Sequence, residues 1–194
     1  MELKAAAKKV WHFIWEDDSI WSWLVNIILA VVIIKFVVYP GLGFALGTTH
    51  PIVAVVSGSM EHDGNFDSWW ETQKSWYFDK TITKEMFVKY PFRNGFNKGD
   101  IMILYKPNDL KAGDVIVFRA SRPEPIIHRI ILVGDGFYQT KGDHNSDSTF
   151  DERNIKQSDI IGKAVFRIPY LGYIKIFAVE AVCLIDSEMN ICGI

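Results

Sequence analysis

Ile126-Ile-His-Arg-Ile-Ile-Leu-Val133 is a run of aliphatic, mostly β-branched residues interrupted by His128 and Arg129. β-Branched side chains suit a pleated surface and lose rotamer freedom in a helix, so the run reads as a strand. Working outward, the same composition recurs in short pieces. Asp100-Ile-Met-Ile-Leu-Tyr105 and Asp114-Val-Ile-Val-Phe-Arg119 precede it, and Phe137-Tyr-Gln-Thr-Lys141 and Ile160-Ile-Gly-Lys-Ala-Val-Phe-Arg167 follow. Pro51-Ile-Val-Ala-Val-Val-Ser57 opens the series. Gly99-Asp100 and Gly113-Asp114 are turn residues at the heads of two runs. A mainly β domain is expected over residues 40–169.

Residues 61–98 interrupt that series. They are polar and aromatic, with Trp69, Trp70, Trp76, Tyr77 and Phe78, and Thr83-Lys-Glu-Met-Phe-Val-Lys89 can start a short helix. The segment reads as an insertion packed on the domain rim. Its tryptophans form either a small local core or a membrane-contacting face.

Ahead of the β runs, Ile20 to Val38 reads IWSWLVNIILAVVIIKFVV. About 19 residues at roughly 1.5 Å rise cover close to 30 Å, the hydrocarbon thickness of a bilayer. Asn26 and Lys35 are the costly residues, and Lys35 lies near one end, where its stem can snorkel. Trp21, Trp23 and Tyr39 flank the run as interfacial aromatics do. A buried core helix is usually shorter and seldom apolar on every face. A cleaved leader needs a shorter apolar stretch and a small-x-small site directly after it. Here apolar character runs on through Phe44 and Leu46 to Val56, so an uncleaved single-pass anchor over 20–39 is expected. Lys4, Lys8 and Lys9 precede the span, while residues 40–73 contain no Lys or Arg. The positive-inside rule therefore puts segment 1–19 in the cytoplasm and the domain beyond the cell membrane.

The net charge of −2 gives no reason to expect nucleic acid as a partner. Cys183 and Cys192 match no zinc pattern, lacking a second Cys or His pair. They are open between one disulfide and two free thiols. Within the C-terminal segment 170–194, residues 170–186 form a last apolar stretch, interrupted by Lys175 and Glu180 and too short to span, as an interfacial or packing helix would be.

Three stretches carry chemistry. Ser59 sits between Gly58 and Met60, where a strand meets a turn, and a preceding glycine lets backbone approach closely and exposes the hydroxyl. His128 lies within a strand, so alternation points it either into the core or into a cleft. A hydroxyl nucleophile needs a base that titrates near neutral pH, which histidine supplies. In Gly142-Asp-His-Asn-Ser-Asp-Ser-Thr-Phe-Asp151, three aspartates offer a carboxylate to orient the imidazole. The rival reading is a non-catalytic anchored module whose acidic loop binds calcium or a partner. Oxygen-bearing residues alternate there, but Ser148 and Asn154 stand where a calcium loop wants glycine and glutamate.

Together, Val55-Val-Ser-Gly-Ser-Met60, Lys98-Gly-Asp-Ile-Met-Ile103, Gly113-Asp-Val-Ile-Val-Phe-Arg119, Ile127-His-Arg-Ile130 and Lys141-Gly-Asp-His-Asn145 resemble, in order, the boxes of type I signal peptidases. His128 stands where the bacterial branch carries lysine, so the chain resembles the archaeal and endoplasmic-reticulum branch. The resemblance covers residues 20–175. It implies a signal-peptidase-like β domain and a serine endopeptidase that needs no cofactor. It also implies cleavage of signal peptides from exported preproteins after small residues at the −1 and −3 positions. By the same resemblance Ser59 is the nucleophile and His128 the base. The Ser57 hydroxyl and the Ser59 backbone N–H form the oxyanion hole. Asp143 matches the family's first aspartate, and the position of the second is Thr149. Asp147 is taken as the acid with Asp143 in support, and Asp151 stays open. Partner subunits, as in the reticulum complex, are left open, neither required nor excluded by the resemblance.

Overall fold

The runs read as strands become six strands in the computed structural model of the chain, which describes residues 2–106, 109–174 and 176–177. They are β1 (Ile52–Ala54), β2 (Ile101–Tyr105), β3 (Val115–Phe118), β4 (Ile126–Val133), β5 (Tyr138–Lys141) and β6 (Ile160–Ile168). All pairings are antiparallel, in one sheet of order β1-β2-β6-β3-β4-β5. β6 joins the halves: its first residues pair with β3 and its later ones with β2.

β3 is buried along its whole length. Successive side chains of a strand point to opposite faces, so Val115 and Val117 enter one core and Ile116 and Phe118 another. The first core also holds Met60, Met102 and Leu104, and the second Ile126, Ile130 and Ile160. Burial on both faces explains why β3 reads as a continuous apolar run rather than an alternating one.

The insertion forms helices α4 (Phe66–Asp79) and α5 (Lys84–Phe87). Asn65 caps α4 by accepting from the Ser68 N–H, and Ser68 Oγ reciprocates toward the Asn65 N–H. Trp69, Trp70, Tyr77, Ile82 and Phe87 pack with Ile131 of β4 as a third apolar cluster. Trp69 and Trp70 are thus local core.

The chain divides into two compact units between Ala45 and Leu46. The first holds α1 (Glu2–Trp15) and all but the last residue of a longer helix that ends at Leu46: α2 (Ile20–Ile33), a π turn over Ile34–Val38, and α3 (Tyr39–Leu46). The helix Ile20–Leu46 is long and apolar enough to cross a membrane. It continues past Tyr39 because the π turn takes up Pro40: Tyr39 N–H donates to the Ile34 carbonyl, a wider loop than the α-helical one. Asn26 is accounted for by its amide donating to the Ile14 carbonyl, while Ser22 Oγ donates to that of Phe13. Two orphan carbonyls at the end of α1 are satisfied in this way. Most of the expected C-terminal segment, with Cys183 and Cys192, lies outside the described residues.

Candidate active site

β1 leads into the turn Gly58–Glu61, closed by the Glu61 N–H on the Gly58 carbonyl at 3.0 Å. Val55 and Met60, both buried, anchor the chain in the first core and leave Ser59 between them partly exposed. The Ser59 carbonyl accepts from the His144 N–H at 2.9 Å, so the turn after β5 holds the backbone of the serine directly.

His128, on β4, reaches the same place from the sheet. Its Nε2 lies 2.9 Å from Ser59 Oγ, and its Nδ1 lies 2.5 Å from Glu152 Oε1. A carboxylate on Nδ1 fixes the N–H there, which leaves Nε2 to accept from the serine hydroxyl. Ser57 Oγ stands 3.1 Å from Ser59 Oγ. These residues open onto a cleft of about 350 Å³ that Asn145, Thr149 and Arg122 also line.

Glu152 is fully buried on a 3-10 turn, Phe150–Glu152. Its Oε2 accepts from both the N–H and the hydroxyl of Thr149, each at 2.8 Å. Burial alone raises a carboxyl pKa, but the bonds from His128 and Thr149 outweigh it and hold Glu152 below the ordinary glutamate value. It is therefore an anion in contact with the imidazole.

The aspartates expected to serve this role lie elsewhere. Asp143 is buried and takes two bonds from Arg129, at 2.9 and 2.7 Å, and one from His62 at 3.0 Å. Burial raises its carboxyl, yet the Arg129 charge and the His62 bond hold it far below the usual range. Because Arg129 follows His128 along β4, it points to the opposite face and takes Asp143 with it. Asp147 accepts from Trp76 Nε1 at 3.0 Å and from Arg153 at 3.1 Å, and Asp151 accepts from Ser121 Oγ at 2.7 Å. Ser57, Ser59 and His128 come together; Asp151 lines the same cleft but bonds Ser121 rather than the imidazole, and Asp143 and Asp147 do not line it. The carboxylate that bonds the imidazole is Glu152, which residue reading missed. Its signal was present as the capping-box spacing Thr149-x-x-Glu152, which turns a glutamate back toward the chain.

The acidic loop does not gather its carboxylates. Among the described residues no group of three or more His, Cys, Asp or Glu side chains could hold a metal. Each loop aspartate faces a different protein donor, which gives the calcium reading no coordination sphere.

No family model matches the chain. Curated relatives do. The signal peptidase complex catalytic subunit SEC11 of Lachancea thermotolerans is 31% identical over 159 residues, covering 75% of this chain and 76% of that one. The protein of the same name from Pyricularia oryzae is 28% identical, covering 82% and 81%. Human signal peptidase complex catalytic subunit SEC11C is also 28% identical, over 72% of this chain, which spans 62% of the human protein's length.

Proposed function

The chain belongs to the family of signal peptidase complex catalytic subunits, a membrane peptidase that removes signal peptides from preproteins, and we propose that it does so by acylation of Ser59. The observation that supports this most is the continuous chain Ser59 Oγ, His128, Glu152, at 2.9 and 2.5 Å, opening on a cleft.

Ser59 Oγ attacks the scissile carbonyl carbon as its proton passes to His128 Nε2. Glu152 holds the imidazole by Nδ1 and stabilises its charged form. The negative charge moves onto the carbonyl oxygen, which accepts from the Ser59 N–H and from Ser57 Oγ–H. His128 then gives its proton to the departing amine, the C–N bond breaks, and the leader stays as an ester on Ser59. Water, losing a proton to the same Nε2, attacks that ester; the C–O bond to Ser59 breaks as Nε2 returns the proton to Ser59 Oγ, and the leader leaves with a free carboxylate. Glu152 thus takes the part first expected of Asp147, and Asp143 acts on structure through Arg129. Small residues at the −1 and −3 positions are the expected specificity. The helix Ile20–Leu46 anchors the chain in the membrane, with residues 1–19 cytoplasmic and the catalytic unit outside.

The test is cleavage of a liposome-embedded preprotein with an Ala-x-Ala site by the purified full chain. Ser59→Ala and His128→Ala abolish processing while the circular dichroism spectrum persists. Glu152→Gln lowers kcat by roughly 10²–10⁴-fold, whereas Asp147→Asn stays within a few-fold of wild type. Efficient cleavage by Ser59→Ala ends the proposal. Wild-type kcat in Glu152→Gln removes the carboxylate from it.

A further inference from the structure

The insertion does more than pack on the rim. The turn after β5 touches the Ser59–His128 pair from behind: the His144 N–H holds the Ser59 carbonyl, and Gly142 lies against His128 Nε2. The position of that turn therefore sets the distance on which catalysis depends, and helix α4 is what grips it.

Three contacts make the grip. Trp69 Nε1 donates to the Asp143 carbonyl at 3.1 Å. Trp76 Nε1 donates to Asp147 Oδ1 at 3.0 Å. Between them enters Lys141, the last residue of β5, whose side chain is buried from solvent. Its Nζ donates to Gln73 Oε1 at 3.1 Å, and stands 5.0 Å from the ring centres of both Trp76 and Tyr77. The same ammonium donates back to the Gly142 carbonyl at 3.1 Å and the Asp143 carbonyl at 3.4 Å. One cation thus ties α4 to the two peptide groups that precede His144. A buried lysine is costly, and burial pulls this one down to about 8 despite the nearby carboxylates. An apolar side chain would fill the space at less cost, so the ammonium is there for what it bonds.

We propose that α4 is a clamp on the turn after β5, and that Lys141, with Gln73 and Trp76, is a positioning residue for the Ser59–His128 pair. The inference rests on the reading of that pair given above. Lys141 touches neither reacting atom; it acts through Gly142 and His144.

The test is a double-mutant cycle on the full chain in detergent micelles, with a fluorogenic leader peptide as substrate and Ser59→Ala as control. Lys141→Met keeps the stem and removes the ammonium; Gln73→Met removes its partner on α4. Lys141→Met is expected to lower kcat about 10- to 100-fold, the range of a small misplacement of reacting groups. KM stays within about twofold, because the cleft wall is untouched. Gln73→Met lowers kcat about three- to tenfold at an unchanged melting temperature, and the double variant is no slower than Lys141→Met alone. A kcat within twofold of wild type in Lys141→Met overturns the inference, as do losses that multiply in the double variant. Should Lys141→Met fail to fold, Gln73→Met decides, and wild-type kcat there overturns it. Cleavage by Ser59→Ala would instead strike at the catalytic reading itself.

Discussion

Gly142 has no side chain, and the Ser59–His128 pair depends on that. A Cβ there would come within 2.7 Å of the Ser59 carbonyl oxygen and 2.8 Å of His128 Nε2, closer than real contacts allow. Gly142→Ala is therefore predicted to wedge the pair apart, cutting kcat by about 10²-fold with a smaller effect on KM. Steady-state kinetics on a leader peptide checks this. Asp143 makes a different prediction, about acid. Its folded pKa lies below the value of 3.8 for a free aspartate, so the unfolded chain binds the proton first. The stability it contributes is full above that free value and is lost as pH falls below it toward the folded one. Asp143→Asn leaves the buried Arg129 guanidinium without its anion, which costs about 3–5 kcal/mol near neutrality. It should also flatten the acid limb of the melting curve, as circular dichroism against pH would show. At this scale the proposed nucleophile and base, Ser59 and His128, were singled out less by their own surroundings than by standing in two of five ordered family-like boxes, Val55–Met60 and Ile127–Ile130. The acid was not singled out. Three aspartates crowd the loop, and only the fold tells that Arg129, Trp76 and Ser121 face them.

The elements divide between those that alternation or composition announces and those that tertiary partners create. Five strands stood out as runs rich in β-branched residues, since burial against a sheet neighbour selects them, whereas β5, Tyr-Gln-Thr-Lys, carries a single β-branched residue. Helix α4 did not. Its apolar residues are tryptophans and tyrosine among polar ones, a composition that fits a loop as well as a helix, and its start was marked by Asn65 and Ser68 alone. What holds it is the third cluster, where Phe87 is fully buried and Trp69 and Trp70 nearly so. Phe87 meets Trp69, Trp70 and Tyr77 at ring centroid separations of 5.0 to 5.6 Å. Phe87→Ala is thus predicted to cost about 3–5 kcal/mol by urea unfolding. If α4 is the clamp on the turn after β5, the same variant loses kcat even at temperatures where it remains folded. A variant that unfolds early yet turns over at wild-type kcat while folded would separate the cluster from the site.

At the scale of the molecule, the two units divide labour. Every contact described for the site joins residues of the unit that begins at Leu46, and all three apolar clusters lie in it. The first unit contributes the apolar helix Ile20–Leu46 and the α1 carbonyls that it caps. Chemistry and anchoring should therefore separate. A chain starting at Leu46 is predicted to cleave a short soluble leader peptide with kcat/KM within about threefold of the full chain. On a preprotein embedded in liposomes it should fall behind by about 10²-fold or more. There the anchor confines enzyme and substrate to one surface, and losing that confinement lowers the effective concentration without changing any contact in the site. Measuring both substrates with both chains gives the answer as a ratio of ratios. Equal losses on the two substrates would mean that the helix supports the site itself. Equal rates on the two would mean that the bilayer plays no part in bringing the leader to Ser59.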